Sequence, residues 1–390
     1  MNNKQHREPA FPHRAKQSGQ PQQNLLQLLA ANVLRLSTLL TRGREQLPTA
    51  YLKEAGLRKA YLEYFLPPNR AKIHHALADL LLHPAKIFSK KRLRVLDIGS
   101  GPGTAVLGTL DFFSQQPEHP FLEFTAHDQL AENLKESARL FAQQTAQYPG
   151  SSLSLIRSGM NLLASRLEGR YDLIILSNVL NELFVADEAR QRKRTDLVSD
   201  LMQRFLAADG SCIIIEPALQ ETSRGLLMVR DGLREKGFSV YSPCLRQGPC
   251  PALVNPKDWC HEDIPWEPPA LIREIDKLIG LRKDSLKFSY MVMRSDRRSL
   301  TDVFGGQCFR VVSEPLASKG KAEFYLCGAA GRKLATRLDK DEASLNRSFK
   351  DLRRGDIAVI KDLLDAGNRY KVGKETSVTL KRLLGADKTG

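Results

Sequence analysis

The chain begins with apolar residues at helical spacing. In NLLQLLAANVLRLSTLLTR, leucines and Val33 recur at steps of three and four, which predicts an amphipathic helix. Further helical stretches are predicted around AYLKEAGLRKAYLEYFLP, ending at Pro67-Pro68, and from about residue 69 to 82. Residues 1–22 are polar and rich in Gln, Pro and charge, so we expect a disordered arm before a helical domain of residues 23–91.

The next part of the chain alternates short apolar runs with helical stretches. The predicted strands are residues 94–98, 122–127, 152–156, 172–177 and 212–217, and the predicted helices are residues 103–114, 129–146, 186–206 and 219–236. This alternation predicts an α/β fold with a parallel sheet that helices cover on both faces. FSVYS and FSYMVM then predict an antiparallel pair that closes the sheet, with residues 244–286 inserted between them.

The remainder predicts a small, mostly β module. CFRVVSE, AEFYLCG and DIAVI have the pattern of strands, and a basic helical tail is expected after them. The predicted boundaries are therefore residues 92–297 for the α/β domain with its insertion and residues 298–390 for the module.

Charge is distributed unevenly along the 390 residues. The chain holds 59 basic and 44 acidic residues, for a net charge of +15. Residues 1–94 carry a net +12, residues 95–239 a net −5 and residues 240–390 a net +8. Basic flanks around an acidic middle favour a polyanionic partner such as nucleic acid. Neither a signal peptide nor a membrane-spanning run is present in the sequence, so we expect a soluble intracellular protein with no membrane partner.

The segment VLDIGSGPGTA (95–105) carries the strongest local signal. A strand ends in Asp97, and Gly99, Gly101 and Gly103 then open a helix. Glycines there let a ligand approach the backbone at the carboxyl end of the first strand. Taken alone, such a turn could serve NAD, FAD, a methyl donor or no ligand. Asp97 suits the amino or ribose end of a methyl donor, and Asp128 at the end of the next strand could accept ribose hydroxyls or cap the following helix.

This region resembles the seven-stranded S-adenosylmethionine-dependent methyltransferases. The resemblance implies that Gly99, Ser100, Gly101 and Gly103 line the methionine and ribose part of the cofactor. It also implies that Asp128 binds the ribose and that Gln129 flanks the adenine. Asn161 stands near the place where such enzymes often carry an acid, and its amide could hydrogen-bond an adenine edge.

The catalytic position is open. Many base-amino methyltransferases carry an Asn/Asp-Pro-Pro-aromatic loop after the fourth strand, whereas this chain has LSNVLNELF (176–184). Asn178, Asn181 and Glu182 are the candidates on the expected substrate side. Their alternative role is to cap and begin a helix.

Three cysteines follow a C-x5-C-x9-C pattern in a Pro-rich loop. Cys244, Cys250 and Cys260 precede His261, and thiolates in such a loop suit a metal centre with four ligands. His261, Cys308 and Cys327 are candidates for the fourth ligand, and three unrelated buried cysteines are the alternative. The spacing matches neither a common zinc finger nor a ferredoxin run, so it does not identify the metal.

The cysteine segments also carry a closer resemblance. SPCLRQGPCPALVNPKDWCHEDI, KFSYMVMRS and CFRVVSEPLASKGKAEFYLC, with the helical AYLKEAGLRKAYLEYFLPPN, resemble the small-ribosomal-subunit methyltransferase-like family over roughly residues 50–360. Members act in bacteria and in mitochondrial ribosome assembly. The resemblance implies a 4Fe–4S cluster on Cys244, Cys250, Cys260 and Cys327, with zinc as the alternative metal.

The same resemblance implies a function in ribosome assembly or translation. We expect S-adenosylmethionine as cofactor, the small ribosomal subunit and its RNA as partners, a bacterial cytoplasmic rather than mitochondrial location, and a monomer off the ribosome. The two functional hypotheses are an RNA methyltransferase and a non-catalytic assembly factor that keeps the methyltransferase fold.

Overall fold

The computed structural model describes residues 20–41 and 51–381. Contacts divide the chain into two compact units, one made of residues 1–64 and 269–282 and the other of residues 65–268 and 283–390. The helical region predicted for residues 23–91 is thus divided after Tyr64. Residues 20–22 of the predicted arm lie in the first helix; the rest of that arm, and residues 382–390 of the predicted tail, lie outside the described residues.

The helices are α1 (Gln20–Thr41), α2 (Ala55–Ala60), α3 (Leu66–Leu81), α4 (Thr104–Ser114), α5 (Ala131–Gln144), α6 (Met160–Leu163), α7 (Arg190–Phe205), α8 (Gln220–Glu235), α9 (Ala270–Ile279) and α10 (Thr301–Phe304). In the first unit, α1 packs against α2 and α9. Buried Leu29, Val33 and Leu36 of α1 follow the predicted apolar spacing.

The sequence predicts that a helix ends at Pro67 and Pro68, but the structure differs. They occupy the first turn of α3, which begins at Leu66 and runs to Leu81. The first backbone N–H groups of a helix have no partner within it, so proline is tolerated there. The irregularity lies before them, in a π-helical turn at Tyr61–Phe65.

The α/β domain is built on a mixed sheet. Its strands are β1 (Arg92–Ile98), β2 (Phe121–Asp128), β3 (Ser152–Arg157), β4 (Tyr171–Ser177), β5 (Leu206–Pro217), β6 (Ser239–Ser242), β7 (Glu262–Pro265) and β8 (Ser285–Arg294). Seven of them lie in the order β3-β2-β1-β4-β5-β8-β6, and β7 pairs with β8. The first five strands pair in parallel, whereas β8 runs antiparallel to both β5 and β6. The predicted α/β fold and the antiparallel closing pair are therefore confirmed.

Alternating strand residues feed two hydrophobic cores, one on each face of the sheet. On β4, Ile175 joins the core formed with α3, α4 and α5, whereas Ile174 and Leu176 join the core formed with α7 and α8. Both faces are apolar because helices cover both, as expected for a largely parallel sheet.

A second sheet forms the C-terminal module. Its strands are β9 (Cys308–Val311), β10 (Leu316–Ser318), β11 (Lys321–Gly328), β12 (Gly331–Leu338), β13 (Ile357–Lys361), β14 (Leu364–Asp365), β15 (Arg369–Lys371) and β16 (Ser377–Lys381). They follow the order β14-β15-β12-β11-β9-β13-β16, and β10 pairs with β11. Because β15 pairs with β12 while β16, on the same stretch of chain, pairs with β13, residues 369–381 close the sheet into a small barrel.

The end of the chain therefore differs from the prediction. The sequence predicts a basic helical tail after the strand DIAVI, but Leu364–Asp365, Arg369–Lys371 and Ser377–Lys381 form β14, β15 and β16. Val378 and Tyr370 are buried in the barrel core, and the burial of this alternating segment against other strands decides its conformation. A short 3₁₀ segment, Ser344–Asp351, lies between β12 and β13 and inserts Phe349 into the same core.

Candidate functional site

The glycine loop connects β1 to α4 at the carboxyl edge of the sheet. Gly101 has a left-handed backbone with φ +54°, and a Cβ there would meet nothing within 4 Å. At Gly99 an added Cβ would lie 2.7 Å from Cγ2 of Val179, and at Gly103 it would lie 2.6 Å from Oγ of Ser137. The outer glycines are thus required by close packing, whereas a side chain at Gly101 would meet no neighbouring atom.

Asp128 joins this loop to the end of β2. Its Oδ2 accepts a hydrogen bond from the Gly101 N–H at 3.0 Å. Its Oδ1 accepts from the Leu130 N–H at 2.8 Å and from Nδ2 of Asn133 at 3.2 Å. This buried carboxylate therefore lies beside the glycine loop. It does not cap the next helix, since α5 begins at Ala131 with Leu130 at the N-cap position and without a side-chain cap hydrogen bond.

Asp97 lies at the carboxyl end of β1 and is 1% exposed. Burial raises the pKa of its carboxyl to about 7; the backbone N–H of Val106 opposes that rise, and the charge of Asp128 adds to it. Its Oδ2 is buried and accepts no hydrogen bond from the described part of the chain. A ligand that brings an ammonium or hydroxyl group would satisfy this oxygen.

The other predicted cofactor residues lie around the same edge. Ser100 is buried, and its N–H donates to the carbonyl of His127 at 2.8 Å. Gln129 follows Asp128 and is exposed, and Asn161 is exposed in the first turn of α6 after β3. Successive parallel strands thus deliver Asp97, Asp128 and Asn161 to one edge in the order of the sheet.

The loop after β4 has an unusual backbone at Asn178. Its φ is +59°, a conformation that Asn adopts more readily than most side chains, and its N–H donates to the carbonyl of Ile215 at 2.8 Å. Asn181 and Glu182 lie in a short 3₁₀ turn, Leu180–Glu182, where Asn181 is half-buried and Glu182 is exposed. The long helix α7 begins only at Arg190, so none of the three begins it.

Glu216 is a residue that the sequence reasoning missed. It lies at the carboxyl end of β5, is 2% exposed, and its Oε1 accepts from the Leu180 N–H at 2.9 Å. It therefore holds the loop that follows β4. The signal was available as a lone acid at the end of the apolar run CIIIEP, because a buried carboxylate needs a partner.

The cysteine loop lies between β6 and β8 and is held by two arginines of α8. Nη1 of Arg224 donates to the carbonyls of Ala252, Asn255 and Asp258 at 3.0, 2.8 and 2.6 Å. Buried Arg230 donates to the carbonyls of Gly248, at 2.9 Å, and Arg246. Backbone carbonyls that would otherwise lack partners in this Pro-rich loop are thereby satisfied.

Four thiols converge at this loop. The pKa of Cys250 is raised to about 11 and that of Cys327 to about 12, in both cases first by burial and then by the charge of Cys244. Burial also raises the pKa of Cys260, with further rises from Cys244, Cys250 and Cys327. Cys327 therefore reaches the loop from β11, although it is 67 residues from Cys260 in sequence.

The other candidates for a fourth ligand are not part of this group. Burial raises the pKa of Cys308 without an effect from another thiol, and the groups that shift the pKa of His261 are Arg354, Glu262, Asp263 and Lys287, after burial. Cys212 and Cys308 are buried among apolar side chains. Among the described residues, no three Cys, His, Asp or Glu side chains form a group that could hold a metal ion.

The four thiols influence one another electrostatically. Each negative charge placed on one thiol raises the pKa of its neighbours, and a bound cationic centre reverses that repulsion. They are free cysteines rather than disulfides. Each of Cys244, Cys250, Cys260 and Cys327 is thus a free thiol that could donate a thiolate ligand.

A family comparison identifies the wider group. The model of the family described as mitochondrial small ribosomal subunit Rsm22 matches residues 58–358. The chain belongs to the Rsm22 family. Its resemblance to a small-ribosomal-subunit family is thereby confirmed, while the family description is mitochondrial and does not support the expected bacterial cytoplasm. No curated protein matches the chain.

Solved structures similar to this Rsm22-family chain are methyltransferases. The plantazolicin methyltransferase BamL in complex with a triazolic desmethylPZN analog and SAH is 12% identical and covers 70% of this chain and 99% of its own, with a TM-score of 0.37. An rRNA methylase from Streptococcus thermophilus is 11% identical and covers 56% and 93%, with a TM-score of 0.31. These likenesses are distant, and the α/β assignment stands on the sheet itself.

Within residues 20–41 and 51–381, none of the helices combines the length and the apolar character that crossing a membrane requires.

Proposed function

We propose that this chain binds S-adenosylmethionine at the carboxyl edge of β1 and β2 and acts with the small ribosomal subunit and its RNA, in ribosome assembly or translation. The observation that carries the cofactor proposal is the pair of buried carboxylates at this edge: Asp128 accepts the Gly101 N–H of the open glycine loop, and Asp97 lies close enough to be affected by the charge of Asp128. Few other ligands present both an ammonium group and a ribose to such a pair.

Each carboxylate has a separate part in this proposal. Asp97 takes the ammonium group of the methionine end, for which its buried oxygen without a partner is suited. Asp128 takes the ribose hydroxyls while it continues to hold the Gly101 N–H. Gln129 and Asn161 are assigned to the adenine, because both follow the carboxyl ends of neighbouring strands. Gly99, Ser100 and Gly103 shape the loop.

Small-subunit RNA is proposed as the partner from the family description and from charge. The description of the family refers to the mitochondrial small ribosomal subunit, and residues 308–381 hold 16 basic against 10 acidic residues. A positive surface attracts phosphates at long range. Bacteria and mitochondria both contain a small subunit, so the proposed partner is the same in either location, and we propose a monomer off the ribosome.

An iron–sulfur cluster is proposed on Cys244, Cys250, Cys260 and Cys327. Such a cluster would supply a covalent cross-link between the loop and the barrel rather than electron transfer. The arginines of α8 would keep the loop in place around it. Metal analysis of protein purified without oxygen separates the two candidate metals: iron with inorganic sulfide supports the cluster, and zinc supports the alternative.

Methyl transfer to an RNA base is the proposed activity, with Asn178, Asn181 and Glu182 as the side chains nearest the substrate side. The alternative is a non-catalytic assembly factor. That alternative is favoured by LSNVLNELF, which lacks the Pro-Pro motif, and by the exposed position of Glu182 outside a buried site.

Nucleoside mass spectrometry of small-subunit RNA tests these two functions. Cells lacking the protein would be complemented with wild type, with Gly101→Arg, or with Asn178→Gly, which suits the left-handed backbone but removes the side chain. A methyl mark restored by wild type and not by Gly101→Arg supports the enzyme. An unchanged set of modifications with depleted small subunits supports the assembly factor.

A further inference from the structure

The C-terminal barrel has an architecture that is used for oligonucleotide binding. Its strands follow the order β14-β15-β12-β11-β9-β13-β16, with β15 and β16 on one stretch of chain, and a 3₁₀ segment lies between β12 and β13. Five-stranded Greek-key barrels of the OB type bind nucleic acid across their second and third strands. With the three-residue strand β10 left out, β9, β11 and β12 are the first three strands of the module, so β11 and β12 are the second and third. They pair with Tyr325 opposite Leu334 and with Cys327 opposite Arg332.

Exposed aromatic side chains lie beside this face. Tyr325 is 36% exposed on β11, and Trp259 is 38% exposed on the cysteine loop. The guanidinium of Arg332 lies 5.2 Å from the centre of the Tyr325 ring. Trp259 stacks on His261 with ring centres 5.9 Å apart and planes inclined by 20°. We name these four side chains, Trp259, His261, Tyr325 and Arg332, the aromatic platform.

Direct contacts join the two halves of the aromatic platform. Arg332 forms an ion pair with Asp258, the neighbour of Trp259. Nη1 of Arg354 donates to the carbonyl of His261 at 3.3 Å and to that of Val312 in the barrel at 3.0 Å. Arg224 holds the carbonyl of Asp258 from the other side at 2.6 Å. The backbone that carries Trp259 and His261 is therefore held in place, which lowers the entropy lost when a base stacks there.

The positive charge around the aromatic platform favours RNA, rather than an apolar protein surface, as its binding partner. Lys257 is exposed two residues before Trp259, and the barrel carries a net charge of +6 from 16 basic and 10 acidic residues. Exposed rings interleaved with Arg and Lys are typical of surfaces that stack unpaired bases while cations contact the phosphates. A rigid duplex cannot offer its base faces to such rings.

We propose that the aromatic platform binds unpaired nucleotides of single-stranded RNA, with bases stacked on Trp259 and Tyr325 and with Arg332 as a planar cation beside them. This inference rests on the proposed RNA-binding function and specifies the kind of RNA. It also relates the cysteine group to RNA binding, because Trp259 immediately precedes Cys260. Any interaction that orders the cysteine loop therefore also orders Trp259 and His261 of the aromatic platform.

The test uses the full chain purified with its metal content intact and two fluorescent RNA probes, a 12-nucleotide single strand of mixed sequence and the blunt duplex of the same sequence. Affinity is measured by fluorescence anisotropy over a salt series. Trp259→Ala and Tyr325→Ala should each weaken single-strand binding by roughly 5- to 100-fold. Because stacking releases no counterions, the slope of affinity against salt should stay unchanged, and duplex binding should change little.

Matched variants separate stacking from folding. Trp259→Phe and Tyr325→Phe keep a ring and should retain most of the affinity. Trp266→Phe alters the other tryptophan of the chain, which packs against the core instead of lying on the aromatic platform, and should bind as wild type. In a 5-iodouridine cross-linking experiment with the single strand, the cross-linked peptides should contain Trp259 or Tyr325.

The outcomes distinguish the two proposals. Wild type that binds the single strand, with alanine variants that bind it equally well and cross-links elsewhere, overturns the aromatic platform and leaves RNA binding standing. Wild type that binds neither probe overturns the proposed RNA partner and the aromatic platform with it.

Discussion

The backbone N–H of Gly101 donates a hydrogen bond to the Asp128 carboxylate over 3.0 Å. This contact joins the ends of two neighbouring parallel strands, β1 and β2, across the open space of the glycine loop. Asp128 therefore shapes the loop and, in the proposed function, also binds the ribose.

Replacing Asp128 should impair both roles. We expect Asp128→Ala to lower the affinity for S-adenosylmethionine by roughly 10- to 100-fold, because a hydrogen bond to a charged group contributes about 1.5–3 kcal/mol. Isothermal titration calorimetry measures this directly. Glu123→Ala is the matched control, since Glu123 lies on the same strand but pairs with exposed Arg92. An unchanged affinity of Asp128→Ala for S-adenosylmethionine would show that this carboxylate does not bind the ribose.

Asp97 should make cofactor binding depend on pH. Its pKa is raised to about 7, first by burial, and the proposed contact to an ammonium group requires the ionised form. We therefore expect the affinity of wild type to fall as pH drops from 8 to 6, by up to about tenfold per pH unit below 7. Asp97→Asn should bind more weakly at pH 8 and show no such dependence. A wild-type affinity that is flat over this range argues against the contact.

The same residue predicts a change in stability with the opposite sign. A folded-state pKa above the unfolded value means that the folded protein holds the proton more tightly, so the free energy of unfolding decreases as pH rises from about 4 through 7. Asp97→Asn removes this loss. The gain in stability of Asp97→Asn over wild type should therefore be larger at pH 8 than at pH 4, by on the order of 4 kcal/mol for a pKa raised from 3.8 to about 7, as measured by urea unfolding at both values.

A buried ion pair connects the barrel to the α/β domain. Nη2 of Arg310 on β9 lies 2.9 Å from Oε1 of Glu262 and 3.5 Å from the Tyr290 hydroxyl. Arg310→Met leaves Glu262 charged and buried, so we expect a loss of about 3–5 kcal/mol in unfolding free energy. The double variant with Glu262→Gln should recover part of it. Arg92→Met, which breaks an exposed pair, should cost about 1 kcal/mol or less.

The four-thiol group should matter for RNA more than for the central sheet. Cys250→Ser and Cys327→Ser should lower iron content and weaken association with small subunits while circular dichroism of the α/β domain stays close to wild type. Cys308→Ala is the control, because Cys308 is buried but outside the group. Normal ribosome association by both serine variants would show that the cross-link is not needed for RNA binding.

Local signals predicted most of the sheet and its ligand edge. Short apolar runs located β1 to β5, and D-x-G-x-G-x-G placed Asp97 and the glycines where the structure has them. Long-range packing decided the remainder. Strands β14 to β16 form because their side chains complete a barrel core, and Cys327 rather than Cys308 joins the thiols because of its position on β11. Neither relationship is encoded in a local window of sequence.

Binding of S-adenosylmethionine at the glycine loop is tested most directly by calorimetric titration of the cofactor into wild type, Gly101→Arg and Gly367→Arg. Both glycines have a left-handed backbone and open space at Cβ, so the two arginines carry a similar backbone strain of about 1–2 kcal/mol. Only the one at position 101 fills the proposed site. We expect S-adenosylmethionine to bind to wild type and to Gly367→Arg but not to Gly101→Arg. Equal binding to all three proteins, or no binding to wild type, would show that the glycine loop is not the cofactor site.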